Sequence, residues 1–236
     1  MRIQAVKGTR DIFSPDVENW AAYEALARRL FQLYGFEEIR TPIFEYTEVF
    51  ARGIGEDTDI VHKEMYTFQD RKGRSITMRP ENTASVVRAY VEHQMHQRAR
   101  VNRLFYIGPM FRYERPQKGR YRQFFQTGAE VFGSSHPFVD AETIELVVRL
   151  LNDLGLTGLR VDINSVGCGD CRPGYRDALR SFLLDRKHEL CGDCQRRLDT
   201  NPLRVLDCKV PGCKAVVEGA PSIQDHLCDG CRTHQD

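Results

Sequence analysis

The chain has 236 residues, 41% of them hydrophobic and 28% charged, with a formal net charge of +1. That much apolar material supports a folded core and excludes a disordered chain, and the length allows one large domain or one and a half ordinary ones. No run of about 18 apolar residues appears, which argues against a membrane-spanning helix. The opening MRIQAVKGTRD has no apolar signal region, so the expectation is a cytoplasmic protein with no membrane partner.

In chain order, Ser14-Pro15-Asp16 predicts a helix start: a capping hydroxyl, a proline at the first helical position, then an acid near the positive end of the dipole. Trp20, Tyr23, Ala27, Leu30, Phe31 and Tyr34 recur at helical spacing, and Gly35 is placed to end the helix. Phe36 to Ile39 reads as a strand, with Pro42 at a turn or strand end. Met65 to Gln69 and Ser75 to Arg79 flank a turn-rich Asp70–Arg74 and predict a hairpin. Thr83 to Gln94 reads as a helix burying Val86, Val87, Tyr90 and Val91. A further helix is expected from Asp140 to Leu154, closed by Gly155, and a strand from Leu159 to Asn164.

The centre of the chain is Arg103 to Gly133. Leu104 to Tyr113 is rich in aromatic and β-favouring residues, and Tyr121 to Phe132 alternates. Phe124, Gln126, Gly128 and Glu130 project to one face of that second strand; Phe125, Thr127, Ala129 and Val131 project to the other. The polar segment 115–120 between the strands carries turn residues. From Arg98 to Gln123 there are eight Lys or Arg residues (Arg98, Arg100, Arg103, Arg112, Arg115, Lys118, Arg120 and Arg122) against the single acid Glu114, a local balance of +7. Such a balance fits a polyanion, because each cation can neutralise a phosphate. A solvated sheet face would have the same composition.

All eight cysteines fall between Cys168 and Cys231. They pair as Cys168/Cys171, Cys191/Cys194, Cys208/Cys213 and Cys228/Cys231. Thiols separated by two residues reach one ion together, so four pairs predict two zinc sites of four cysteines each. The rival is a set of reduced cysteines packed as small hydrophobes; a redox role for CGDC lacks a strand-to-helix context. The asymmetry predicts a domain boundary near residue 165, giving a first domain over 1–164 and a cysteine-rich one over 165–236.

FRYERPQKGRYRQFFQTGAEVFG, at 111–133, resembles motif 2 of the class II aminoacyl-tRNA synthetases in the form found in histidyl-tRNA synthetases. KGTRDIF at 7–13, GFEEIRTPIFE at 35–45 (motif 1), MRPENTA at 78–84 and NPLRVLDCK at 201–209 resemble the same family in the same order. The resemblance implies an α+β fold, a class II antiparallel sheet flanked by helices, with a small cysteine-rich α/β insertion domain. It implies activation of histidine by ATP with magnesium, transfer to the acceptor end of tRNA(His), and a homodimer. Arg112 would bridge the substrate carboxylate and the α-phosphate as the catalytic arginine. Arg120 would reach the outer phosphates, Glu114 the adenine amino group, and Phe124 would stack on adenine. Glu81 and Thr83 would receive the α-ammonium, with Gln126 and Glu130 as further histidine contacts. Arg10, Gln117, Lys118 and Arg122 would touch the tRNA end. Any zinc would be structural and remote from the ATP site.

For several of these residues an ordinary structural role is open as well. Phe124 would serve as a core aromatic, Glu130 as one half of a salt bridge to a nearby arginine, and each loop cation as a solvated charge. The chain departs from the family pattern at Asn82, where many relatives carry glycine. The family's later elements (a histidine-specific segment, motif 3 and an anticodon-binding domain) have no counterpart in these residues, so an incomplete sheet and a fragment are the expectation. Two other readings compete with the ligase: a non-catalytic histidine-binding regulator resembling the synthetase-like subunit of an ATP phosphoribosyltransferase, and a zinc-stabilised tRNA-binding module. The triphosphate- and tRNA-contacting loop favours the ligase over the regulator.

Overall fold

A computed structural model describes residues 3–54, 64–115 and 117–235; Pro116 of the central loop lies outside them. The chain divides into two compact units, Met1–Leu159 and Arg160–Asp236. Among the described residues no helix is long and apolar enough to cross a membrane.

The first unit opens with helix α1 (Asp16–Leu33). Its start differs from the sequence expectation. The Ser14 hydroxyl donates to the Glu18 carboxylate at 2.7 Å, and Pro15 occupies the cap position without any side-chain cap bond. The helix begins one residue later than expected, so Ser14 lies just outside the cap position from which a side-chain oxygen accepts the first free N–H groups. The end matches the expectation. Gly35 takes φ +74°, its N–H reaches the Gln32 carbonyl at 3.0 Å and the Phe36 N–H reaches Phe31 at 2.9 Å, the two bonds of a Schellman stop. Helix α4 (Pro137–Asp153) closes the same way at Gly155, with bonds to Asn152 and Leu151.

Strands β1 (Glu37–Glu38), β5 (Asn102–Phe111) and β6 (Gln123–Phe132) form one sheet in the order β1-β5-β6. The β5–β6 ladder is antiparallel and runs from Asn102↔Phe132 to Phe111↔Gln123 without a bulge. The β1–β5 pair is parallel, so this sheet is mixed rather than wholly antiparallel. A second, antiparallel sheet holds β2 (Phe44–Tyr46), β4 (Ser75–Met78) and β3 (Tyr66–Gln69), which places the predicted hairpin. Helix α2 (Thr47–Ile54) follows β2, and α3 (Thr83–Glu92) follows β4.

Each face of the main sheet is covered. On one, α1 and α4 pack Ala27, Leu30, Phe31, Leu146 and Leu150 against Phe105, with the Phe31 and Phe105 rings stacked at 4.8 Å. On the other, Val86 of α3 and Met95 meet Leu104, Tyr106 and Met110. The buried side of α3 agrees with the prediction at Val86, and at Tyr90, which packs partly buried against the same cluster, but not at Val87 and Val91. Ala84, Ser85, Val86 and Ala89 face inward, while Val87 and Val91 are 42% and 66% exposed and line an open hollow of about 1100 Å³ with Tyr46 and Val49. Small residues let α3 lie close to the protein beneath it, and that packing overrides the apolar periodicity.

The second unit contains α5 (Cys171–Asp185), α6 (Gly192–Thr200), α7 (Pro211–Val217) and α8 (Asp229–Gln235), with short 3-10 turns between them. Its core gathers Tyr175, Leu179, Leu183, Leu198, Val205, Val216 and Ile223 around Cys194, Cys208 and Cys213. Among its described residues there is no strand, so the unit is helical where an α/β domain was expected. The strand expected over Leu159–Asn164 is also absent. Leu159, Val161 and Ile163 are 38%, 49% and 63% exposed, and alternation without a partner backbone gives no ladder.

Gly128 is a point of close approach. A Cβ there would come within 2.4 Å of the Tyr106 hydroxyl and ring, because Tyr106 lies across the strand from its register partner Gly128. We expect Gly128→Ala to cost about 1–3 kcal/mol by overpacking, measured by denaturant unfolding. Combining it with Tyr106→Leu should restore part of the loss, since the two changes share one contact. Strict additivity would show that the crowding is not between these residues.

Candidate active site

The register of β5 and β6 sets the site. Tyr106, Gly108 and Met110 share a face with Phe124, Gln126, Gly128 and Glu130, while Phe105, Ala129 and Val131 point to α1 and α4. The cations read from the sequence as one footprint do not form one patch. Arg103 bridges to Glu142 at 2.5 Å and donates to the Tyr34 carbonyl at 3.1 Å, on the α1/α4 side. Arg98 and Arg100 are exposed in the segment before β5. What remains together is the group around the β5–β6 loop.

At that end of the strands, Arg112 is held from two sides. Its Nε donates to the Pro80 carbonyl at 2.8 Å, and its guanidinium carbon lies 5.1 Å from the centre of the Phe124 ring. Glu114, with a mostly buried side chain, sits 3.9 Å from Arg112 and 3.4 Å from Arg120, so three of the four expected ATP contacts form one ionic cluster beside the fourth, Phe124. The loop tip closes on a turn. The Arg120 N–H reaches the Gln117 carbonyl at 2.9 Å with Gly119 at φ +81°, the pattern of a type II turn. Gln117, Lys118 and Arg120 are exposed there.

Arg122 is placed differently from the solvated cation it resembles in sequence. Its Nε donates to the Glu114 carbonyl at 3.3 Å and its guanidinium stacks 4.1 Å from the Tyr113 ring. Its backbone N–H bonds the Gly8 carbonyl at 2.7 Å, which docks the GTRD segment onto the start of β6. Arg10 of that segment lies over the Tyr121 ring at 5.2 Å and 3.9 Å from Asp16.

The other end of the same face is acidic. Glu81 accepts from the backbone N–H groups of Thr83 and Ala84 at 2.5 and 3.0 Å, so it caps α3 as well as facing the site. The Thr83 hydroxyl donates to Glu130 at 2.8 Å. Among the described residues no Lys or Arg forms an ion pair with Glu130, which disposes of the salt bridge as its ordinary role. Burial pushes the Glu130 carboxyl above the usual range; the Thr83 hydrogen bond opposes this and the nearby Glu81 charge adds to it. Burial likewise pushes the Tyr106 hydroxyl up to about 12, with Glu130 and Glu81 acting in the same direction. The Gln126 side-chain oxygen is buried with no hydrogen-bond partner. Two carboxylates without a cation among the described residues, beside an unsatisfied acceptor, have the chemistry that suits a positively charged, hydrogen-donating group.

Two residues beneath the site escaped the sequence reading. Arg79 is 6% exposed and has no carboxylate partner among the described residues. It donates to the carbonyls of Pro109 and Thr41 at 2.9 and 3.0 Å and to Thr41 Oγ1 at 3.1 Å. Tyr106 could have been suspected, since strand alternation puts it on the face of Gln126 and Glu130. Asn82, at φ −120°, occupies a conformation that needs no glycine. Its Oδ1 accepts from the Thr41 hydroxyl at 2.6 Å and from Arg79 at 3.3 Å.

In the second unit, the eight cysteines are free thiols gathered into two quartets: Cys168, Cys171, Cys228 and Cys231, and Cys191, Cys194, Cys208 and Cys213. Within each quartet the sulfurs all lie within 4.8 Å of one another. The donor set suits a tetrahedral thiophilic ion.

Residues 8–170 match the family described as Histidyl-tRNA synthetase. A histidine–tRNA ligase of Solibacter usitatus is 60% identical over 98% of this chain and 56% of its own length. The apo histidyl-tRNA synthetase of S. aureus superposes with a TM-score of 0.75 at 40% identity, covering 99% of this chain and 52% of that one. A protein of Bacillus halodurans described as an ATP phosphoribosyltransferase regulatory subunit/histidyl-tRNA synthetase superposes at a TM-score of 0.66 with 22% identity, over 93% of this chain and 52% of that one; this likeness speaks to fold alone. The chain thus spans about half the length of the curated relatives it matches. With the family match covering the sheet, its loop and the site face, the chain belongs to the histidyl-tRNA synthetase family.

Proposed function

We propose that the chain is the motif 1 and motif 2 portion of a histidine–tRNA ligase, which joins histidine to ATP, taken up as its magnesium complex, and passes it to the end of tRNA(His). The observation that carries this reading is the two-ended face of β5–β6: a cationic cluster at Arg112, Glu114 and Arg120, and an acidic pocket at Glu81, Thr83 and Glu130 with the unsatisfied Gln126. An amino acid and a nucleoside triphosphate meet on such a face with the ammonium at one end and the phosphates at the other.

In the first step a carboxylate oxygen of histidine attacks the α-phosphorus, and the bond to the β-phosphate oxygen breaks, releasing pyrophosphate. Charge accumulates on the α-phosphate oxygens, where a preorganised cation lowers the barrier. Arg112 fits that role because the Pro80 carbonyl and the Phe124 ring already fix its plane, and a planar fork can bridge carboxylate and phosphate together. Glu114 steers Arg120 toward the outer phosphates, and Phe124 offers a ring to the adenine. In the second step a ribose hydroxyl of the terminal adenosine attacks the activated carbonyl and AMP leaves. Gln117, Lys118 and Arg10 would hold the tRNA end by phosphate contacts that position without reading sequence, with Arg122 bracing the loop. The protein is proposed to act in the cytoplasm as a homodimer.

Exchange of labelled pyrophosphate into ATP should depend on histidine, with the other amino acids inert. Exchange driven by a different amino acid would overturn the reading, and histidine binding without any exchange would mark these residues as an incomplete enzyme or a histidine-binding protein. Arg112→Lys should lower the exchange rate by about 100-fold or more, because charge is kept but the bidentate geometry is lost.

Glu130 gives a pH test. Its folded pKa is raised, so the folded state favours the neutral acid, and ionisation costs stability as pH rises through and above the unfolded value of about 4.3. Glu130→Gln should therefore raise the thermal midpoint of the ligand-free protein at pH 7.5, with the gain fading near pH 4. The same variant should weaken histidine binding by about tenfold or more, close to 1.4 kcal/mol. A stability gain independent of pH would show that Glu130 carries no ionisation penalty.

A further inference from the structure

The cysteine order along the chain leaves several pairings open, and the structure selects one. We propose that the second unit holds two structural zinc ions in nested four-cysteine sites: an outer one from Cys168, Cys171, Cys228 and Cys231, and an inner one from Cys191, Cys194, Cys208 and Cys213.

The spacing of the sulfurs supports this. A tetrahedral zinc with bonds of about 2.3 Å sets its sulfurs about 3.8 Å apart. In the outer quartet Cys168 and Cys171 are 3.5 Å apart, Cys168 and Cys228 4.0 Å, and Cys171 and Cys231 3.8 Å. In the inner one Cys191 and Cys208 are 4.0 Å apart. These separations are far beyond the roughly 2.05 Å of a disulfide, and they fit four ligands around a central atom.

Thiols packed as hydrophobes do not account for the arrangement. Burial explains Cys194 and Cys213, each 0% exposed. It does not explain why Cys228, which is exposed, converges with three other sulfurs at the edge of the unit. Two backbone N–H groups also point at sulfur: Cys191 N–H toward Cys213 at 3.2 Å and Cys228 N–H toward Cys171 at 3.1 Å. Such donors stabilise thiolates and commonly surround sulfur-bound metals. Cys171 opens α5 and Cys194 lies in the first turn of α6, where the helix dipoles also favour negative sulfur. All-sulfur tetrahedral coordination selects zinc or iron; the proposal commits to zinc.

The nesting gives each ion a separate job. The outer site joins segments 60 residues apart in sequence, tying the beginning of the unit to its last helix. The inner site ties the start of α6 to Cys208, just before α7, and Cys213, in the first turn of α7, in the middle of the hydrophobic core. A unit of this size has a small core, and metal binding by a site that exists only when folded adds directly to its stability. The proposal stands apart from the ligase reading, because metal content is measured without any substrate.

The full chain, purified without chelator under reducing conditions, should contain about two zinc ions by elemental analysis. Cys228→Ser and Cys208→Ser should each retain about one, from the inner and outer site respectively, and the double variant none. Titration of the metal-free parent with cobalt should give thiolate-to-cobalt charge-transfer absorption that saturates near two equivalents, a readout that does not rely on the serine variants folding. A chelator should remove one ion quickly, from the exposed outer site, and the other slowly. Stoichiometric iron, zinc well below one per chain after growth with added zinc, or a cobalt endpoint of one equivalent would each overturn the two-zinc proposal.

Discussion

The first unit depends on a buried cation. Arg79 carries its charge into the protein with no acid paired to it among the described residues, and burial accordingly pulls its pKa below the usual arginine value. An isolated buried charge is costly unless polar groups surround it, and here backbone carbonyls and the Thr41 hydroxyl supply that shell. The donors reach Thr41 and Pro42 after β1, Pro109 on β5, and Asn82 before α3. The residue's own backbone joins the second sheet and the first, through Ile43 and Phe111 at 2.9 Å each. Even Gly108 fits this arrangement, since a Cβ there would come within 2.6 Å of the guanidinium. The site residues follow in sequence: the Pro80 carbonyl aims Arg112, Glu81 caps α3, and Thr83 meets Glu130.

This anchoring explains how one flat strand pair can present two opposed charges. Phe124 and Glu130 lie on the same face of β6, about 20 Å apart at the rise of an extended strand. At one end the arginines are restrained by an acid, a carbonyl and a ring. At the other the acids are restrained by a hydroxyl and two backbone N–H groups. Neither end neutralises the other, because the strand holds them apart. In the proposed reaction the field between them would orient an ammonium at one end and phosphates at the other, and fixed dipoles of this kind need no rearrangement when charge develops.

Much of this is legible in the sequence, and the exceptions share a physical cause. Period-two alternation places Phe124, Gln126 and Glu130 on one face, and Gly35 and Gly155 end their helices, because those signals are local. The apolar pattern of α3 holds at Val86 and Tyr90 and misleads at Val87 and Val91, where close approach selects Ala84, Ser85 and Ala89 for the inner face. The Ser14 cap fails because the helix begins at Asp16, which puts Pro15 and not Ser14 at the cap position. The local charge of +7 does not survive as a patch, since alternation sends Arg103 to the other side of the sheet. Arg79 is invisible as an anchor because its acceptors come from three segments that only the fold brings together. In each case a non-local contact decides what a local pattern cannot.

The cysteines show the same division between what spacing specifies and what the fold adds. Spacing within a pair fixes which two thiols reach a common point, since two or four intervening residues turn both sulfurs inward. Spacing between pairs says nothing about which pairs meet, and four pairs in line can combine as neighbours, alternately or by nesting. The helices choose. Cys191 and Cys194 at the start of α6 meet Cys208 and the α7 residue Cys213 within the core, where Leu198 and Val205 also pack, and that leaves the first and last pairs to each other. The order of assembly follows from loop closure: the inner quartet joins segments 17 residues apart at its shortest contact and the outer one 60, so the inner site has the smaller entropy cost and can form before the outer one closes the unit.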